Sequence, residues 1–161
     1  MSELNWKLFR RGPELGAGTV LASTMPRFYW RVTPLAGESW ALNIGVNQAE
    51  IAPRFLETGR TLFIGVEQGV FALDRQTGEV LSAVNDTSYV QAIETAGDGL
   101  VVVSGETELM AFSATSGALL WRTELPDAVE TFEQVDGRLE IRGVEGTMFE
   151  LNLTTGKAHR R

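Results

Sequence analysis

No cysteine occurs among the 161 residues of this chain. That absence removes a disulfide framework, a thiolate nucleophile and a cysteine-bound zinc. Histidine is almost as scarce: His159 is the single one, which leaves little for a histidine metal site or a catalytic triad. Positive charge is thin as well, with 14 Lys and Arg against 21 Asp and Glu and a net charge of −7. A phosphate-backbone binder needs a basic footprint, so nucleic acid is not expected as a partner. The apolar runs are only as long as strands, so neither a transmembrane helix nor a membrane partner is expected. Residues 1–13 lack the apolar core of a secretory signal, and a cytoplasmic location is the expectation. The remainder is ordinary for a globular domain, 43% hydrophobic and 22% charged. It is long enough for one buried core and short for two domains.

The strongest positive signal is internal repetition. Residues 111–121 read as a strand, a tight turn closed by Gly117, and a second strand ending on Trp121. The same design stands at 72–82 around Gly78 and at 150–157 around Gly156. These glycines recur at intervals of 39 residues, a period that marks a repeat architecture. Before each turn lies an apolar strand. Residues 61–66 and 100–103 are continuous apolar runs, as in strands buried on both faces, whereas 139–144 alternates as a half-exposed strand does. Three units align at 51–86, 89–125 and 128–161. An offset of 41 adds a degenerate one at 5–46, with Gly18 under Gly59, Trp30 under Phe71, and Gly37-Glu38 under Gly78-Glu79. In that unit Trp6–Phe9, Leu21, Trp30–Val32 and Trp40–Ile44 take the places of the first to fourth strands. Residues 127–137 could be read alone as a short helix with a capping box; the repeat register makes them the first strand of the last unit. The fold expected is all-β, about four four-stranded units in a single repeat domain.

These turns resemble the PQQ-like β-propeller repeat, whose blades carry Ala-x-Asp-x-x-Thr-Gly-x-x-x-Trp as a blade-docking motif. Ala72, Asp74, Thr77 and Gly78 match it, with Ser82 at the Trp position. Ala111, Gly117 and Trp121 match it again, with Ser113 and Ser116 for Asp and Thr. Asn152, Thr155 and Gly156 form the third copy, with Arg160 at the Trp position. The resemblance implies a β-propeller-type array in which Trp121 docks one blade onto the next. It does not carry the quinone: no adjacent cysteines and no calcium-loop spacing are present, so no cofactor and no metal are expected. Rings of this family generally have seven or eight blades. A four-unit arc of that curvature would leave two apolar blade faces exposed; a homodimer completing a ring is one expected solution, with a self-closed four-blade ring and an arc capped by its basic termini as the rivals.

Function is read from charge. Glu124, Asp127, Glu130, Glu133 and Asp136 form the densest acidic stretch and are the candidate surface for a basic protein partner; the same stretch also fits a solvated blade edge. The expectation is a non-catalytic interaction module, in its specific form an immunity-type acidic protein. The alternative is a small-molecule or sugar-handling enzyme using carboxylates at the propeller opening. The Gly16-Ala17-Gly18 segment lacks the phosphate-loop pattern and reads as a turn. Arg10, Arg11, Lys157, His159, Arg160 and Arg161 are expected in loose tails, or in one basic patch if the N-terminal segment pairs with the last unit.

Overall fold

β-branched and aromatic residues between Gly- and Asp-rich turns make strands, and every regular element among the described residues is a strand. The computed structural model describes residues 4–10, 19–22, 26–34, 40–97 and 99–161; Gly16–Gly18, Gly37, Glu38 and Arg11 lie outside them. Among the described residues, sixteen strands form four sheets of four. The first contains β1 (Leu4–Arg10), β2 (Thr19–Ala22), β3 (Phe28–Pro34) and β4 (Leu42–Val46). The second holds β5 (Arg54–Thr58), β6 (Thr61–Val66), β7 (Gly69–Asp74) and β8 (Val80–Val84). The third is β9 (Ala92–Ala96), β10 (Leu100–Ser104), β11 (Glu108–Ser113) and β12 (Leu119–Glu124). The fourth is β13 (Val129–Val135), β14 (Arg138–Gly143), β15 (Met148–Asn152) and β16 (Ala158–Arg160). Sheets two to four are antiparallel meanders in chain order, the blades of a β-propeller-type array. Residues 127–137 thus contain a strand, β13, and not a helix.

The first sheet departs from the expected order. It runs β1-β3-β4-β2, with β2 at the edge and parallel to β4. β1 pairs with β3 over seven residues, from Leu4↔Pro34 to Arg10↔Phe28, whereas β2 has only four residues to offer. The longer ladder satisfies more backbone groups, so β1 takes the place beside β3 that a meander would give to β2. This pairing also keeps the N-terminal segment in the first sheet and away from the last.

The core lies between the sheets. Leu42, Ile44 and Val46 of the first blade pack on Leu62, Ile64, Phe71 and Leu73 of the second. Phe63 and Val70 meet Val101, Val103, Met110 and Phe112 of the third, with the Phe63 and Phe112 rings edge to face at 5.8 Å. Val102, Leu109 and Trp121 meet Leu139, Ile141, Phe149 and Leu151 of the fourth. Strands β6 and β7 are therefore buried on both faces, while β14 and β15 alternate between buried and accessible residues.

Candidate functional site

The turn between the third and fourth strand of each meander is built the same way three times. The Asp74 carboxylate accepts the N–H groups of Gln76 and Thr77 at 2.9 and 3.0 Å. Asn152 Oδ1 accepts those of Thr154 and Thr155, both at 3.0 Å, and Ser113 Oγ accepts that of Ser116 at 3.2 Å. A short polar side chain folding back on the next two residues is an Asx-type turn. The N–H groups of Gly78, Gly117 and Gly156 then return to the carbonyls of residues 74, 113 and 152, each at 2.8 Å. All three glycines are left-handed, with φ near 70°, and each is pressed by the preceding blade. A Cβ on Gly78 would lie 2.7 Å from the Trp40 ring, one on Gly156 2.8 Å from the Trp121 ring, and one on Gly117 2.6 Å from Ala72 Cβ.

Docking is therefore directional, the outer strand of the second and third blades, and Trp40 just before β4 in the first, reaching onto the turn of the next blade. Trp121 Nε1 donates to the Leu153 carbonyl at 2.7 Å, and Trp40 Nε1 donates to that of Arg75 at 2.9 Å. In the second blade Ser82 Oγ substitutes with a hydrogen bond to the Gly117 carbonyl. Ala72 and Ala111 occupy the buried positions directly across from Ser82 and Trp121. Trp40, which the sequence alignment sets near the position equivalent to Trp121, plays the same part. On the fourth blade the strand register sets His159, not Arg160, opposite Glu150. The reason is a bulge: β8 and β12 each carry one before the docking residue, and the β15–β16 ladder is regular.

At the opposite end of the sheets, where linkers join one blade to the next, a buried carboxylate fastens each junction. Glu67 Oε1 accepts the N–H groups of Asn47 and Gln48 at 2.7 and 2.6 Å. Glu108 accepts that of Ser88 and binds the Arg122 guanidinium, which also reaches the Asp86 carbonyl at 2.8 Å. Asp127 accepts the Glu145 N–H at 3.1 Å. Asp127 is only 8% exposed, so its assignment to a partner surface is corrected: its charge is spent on the junction. The bond that ties Arg122 to Glu108 and Asp86 raises its pKa against the opposing effect of desolvation, the larger single influence. A cavity of about 20 Å³ beside Glu67, lined also by Gly45, Gln68 and Asn85, has room for about one water.

The other acidic candidates separate. Glu124 ends β12 at the linker end, whereas Asp136 sits in the β13–β14 turn at the opposite end. Glu130 pairs with Arg142 at 3.0 Å, and Glu133 lies across from Glu140 on the fourth sheet. A different acidic grouping appears instead. Glu50, Asp86, Glu106, Glu124 and Glu145 are exposed at the linker end above the buried Glu67, Glu108 and Asp127. The arginines whose backbone lies at that end, among the described residues and apart from the Arg142–Glu130 pair, are Arg10, Arg27, Arg54, Arg122 and Arg161. At the turn end Glu57, Asp74, Glu79 and Asp136 are balanced by Arg60, Arg75, Arg138 and Lys157. The signal for this grouping was in the sequence as single acids recurring in or beside linkers and hairpins. The basic C-terminal residues form no loose tail, because residues 158–160 are β16.

Repeated meander sheets, Asx-glycine turns and outer-strand docking together define a β-propeller repeat protein. The chain belongs to the PQQ-like repeat family whose model is described as outer membrane protein assembly factor BamB, matched over residues 66–159. Similar solved structures include BamB from Moraxella catarrhalis, at 19% identity and a TM-score of 0.48, covering 88% of this chain and 47% of that one. The computationally designed Ika8 protein is similar at 14% identity and a TM-score of 0.55, covering 83% and 46%. A europium-containing methanol dehydrogenase gives 16% identity and a TM-score of 0.49, covering 66% and 24%. The chain thus spans less than half the length of each. No curated protein matches it.

Proposed function

We propose that this chain is a protein-interaction module that takes a basic protein partner at its linker end. The observation that supports this reading is the distribution of charge among the described residues: carboxylates outnumber arginines at the linker end, while the turn end is balanced. A surface with an excess of one sign raises the encounter rate with an opposite one, and its field is screened over about 8 Å at physiological salt. The linkers themselves are pinned by Glu67, Glu108 and Asp127, so the surface is presented with little loop entropy left to lose. In its specific form the protein is a small acidic binder that neutralises or scaffolds its partner, as a toxin's immunity protein does. The word "assembly factor" in the family description agrees with a role in holding another protein.

Affinity capture with the whole chain, followed by surface plasmon resonance on the recovered protein, tests this. The association rate should fall steeply with ionic strength. It should fall again in Glu106→Lys/Glu145→Lys and stay near wild type in Glu79→Lys/Asp136→Lys at the other end. Equal effects from both pairs, or association indifferent to salt, would place the contact elsewhere.

A further inference from the structure

We infer that the fourth blade is a terminal cap, a sheet face built to stay in water, and that no second copy completes a ring through it. The second, third and fourth blades can be superposed row by row from their strand registers. In the second, Leu56, Phe63, Ala72 and Ser82 stand side by side across the sheet. In the third the same row is Glu94, Val102, Ala111 and Trp121. In the fourth it is Glu133, Glu140, Glu150 and His159. The central pair of this row is what faces the next blade: Phe63 and Ala72 pack on the third blade, and Val102 and Ala111 on the fourth. The apolar pair has become two glutamates.

Two like charges directly across a ladder repel, and here they are compensated within the face. The Arg161 guanidinium lies 3.0 Å from both Glu140 and Glu150, and Arg138 lies 3.9 and 3.4 Å from them. Arg142 and Glu130 form a further pair on the same sheet. Covering this face with an apolar blade would strip water from a compensated network and return nothing. The docking device is missing too, since the bulge that turns Ser82 and Trp121 onto the following blade has no counterpart between β15 and β16. Repeat arrays need polar outer faces on their terminal units to remain soluble, and this face has that character.

The absence of cysteine makes the test clean, because Met148→Cys places the only thiol of the chain on this face. Maleimide labelling of that variant should proceed at one rate across about a hundred-fold range of protein concentration, since only an associating surface is covered by mass action. Protection that grows with concentration would overturn the inference. In parallel, Glu140→Val/Glu150→Ala copies the third blade's Val102 and Ala111 into the cap. Light scattering should give a mass that rises with concentration for this variant and not for wild type. If the variant does not fold, the labelling result decides alone; if it folds and stays monomeric, charge is not what keeps the face in water and the inference fails. A dimer of the Met148→Cys variant that is still freely labelled supports the cap, because association then uses another surface.

Discussion

Trp121→Ala is the sharpest test of the docking geometry. The ring is 9% exposed, lies against Gly156, and its indole N–H is bonded to the Leu153 carbonyl at 2.7 Å. Truncating a large buried side chain costs about 3–5 kcal/mol, the spread reflecting how far the site collapses. Collapse is restricted here because Gly156 and its turn are fixed by their own hydrogen bonds. For a chain of this size each kcal/mol shifts Tm by about 2–4 °C, so a drop of roughly 10 °C is expected in a circular-dichroism melt. Trp121→Phe keeps an aromatic ring but gives up the pyrrole part of the indole and leaves the Leu153 carbonyl without its donor, which should cost about 1–3 kcal/mol, less than the Ala truncation. Trp40→Ala should cost less than Trp121→Ala, because Trp40 is only partly buried. Hydrogen exchange should locate the loss of Trp121→Ala in the fourth blade. A Trp121→Ala protein that melts with wild type, or a Phe variant as damaged as the Ala variant, would refute docking by ring burial.

Two further outcomes follow from the turns. Desolvation alone would raise the Asp74 pKa, yet the Thr77 and Gln76 N–H groups and the Arg60 guanidinium hold it below the ordinary 3.8. The stability this carboxylate contributes is therefore complete above about pH 3.8 and lost as pH falls through the lowered value; Asp74→Asn should keep the turn, as Asn152 does, and show a shallower acid-unfolding curve. Gly156→Ala should destabilise much more than Gly146→Ala. Both are left-handed, with φ of 68° and 82°, so both carry a backbone term of about 1–2 kcal/mol, but only at Gly156 would the new Cβ meet an indole; equal chemical-denaturation midpoints would remove the ring contact from the account.

The repeat was legible because its turns demand particular chemistry. A carboxylate, amide or hydroxyl oxygen four residues before a left-handed glycine leaves few residue types eligible, so Asp74, Ser113 and Asn152 can be found by eye. The first sheet was not legible in the same way. Its strands could be placed by aligning Trp30 with Phe71, but which strand lies beside β3 is decided by competing ladders, and the seven-residue β1 prevails over the four-residue β2. The docking register of the last blade was missed by one residue for a related reason. A spacing of 39 puts Arg160 under Trp121, but the bulge at Leu120 is absent from β16, and His159 occupies that row. The acidic stretch was misread as one surface because strands disperse sequence neighbours. Glu124 and Asp136 finish at opposite ends of the array, and Asp127 between them is buried.

That dispersal separates two jobs that one residue type performs at the same end of the molecule. Glu67, Glu108 and Asp127 are carboxylates whose oxygens are engaged by backbone N–H groups of linkers or hairpins. Glu50, Asp86, Glu106, Glu124 and Glu145 stand in or beside the segments so fixed, exposed to solvent. Loops that carry binding residues are ordinarily the most mobile parts of a domain, and ordering them on contact subtracts from affinity. Here the ordering is done in advance by the buried set. The two sets should therefore respond differently to the same isosteric change. Glu108→Gln keeps an acceptor for the Ser88 N–H but gives up the charge that holds Arg122, freeing that guanidinium at the linker end. With Arg122 left to Asp86 alone, its association with a basic partner should slow through the lost negative charge, and its linker amides should exchange faster. Glu106→Gln removes an outward charge and should slow association with linker exchange unchanged. Identical exchange in the two variants would mean that the buried carboxylates do not set the stiffness of this surface.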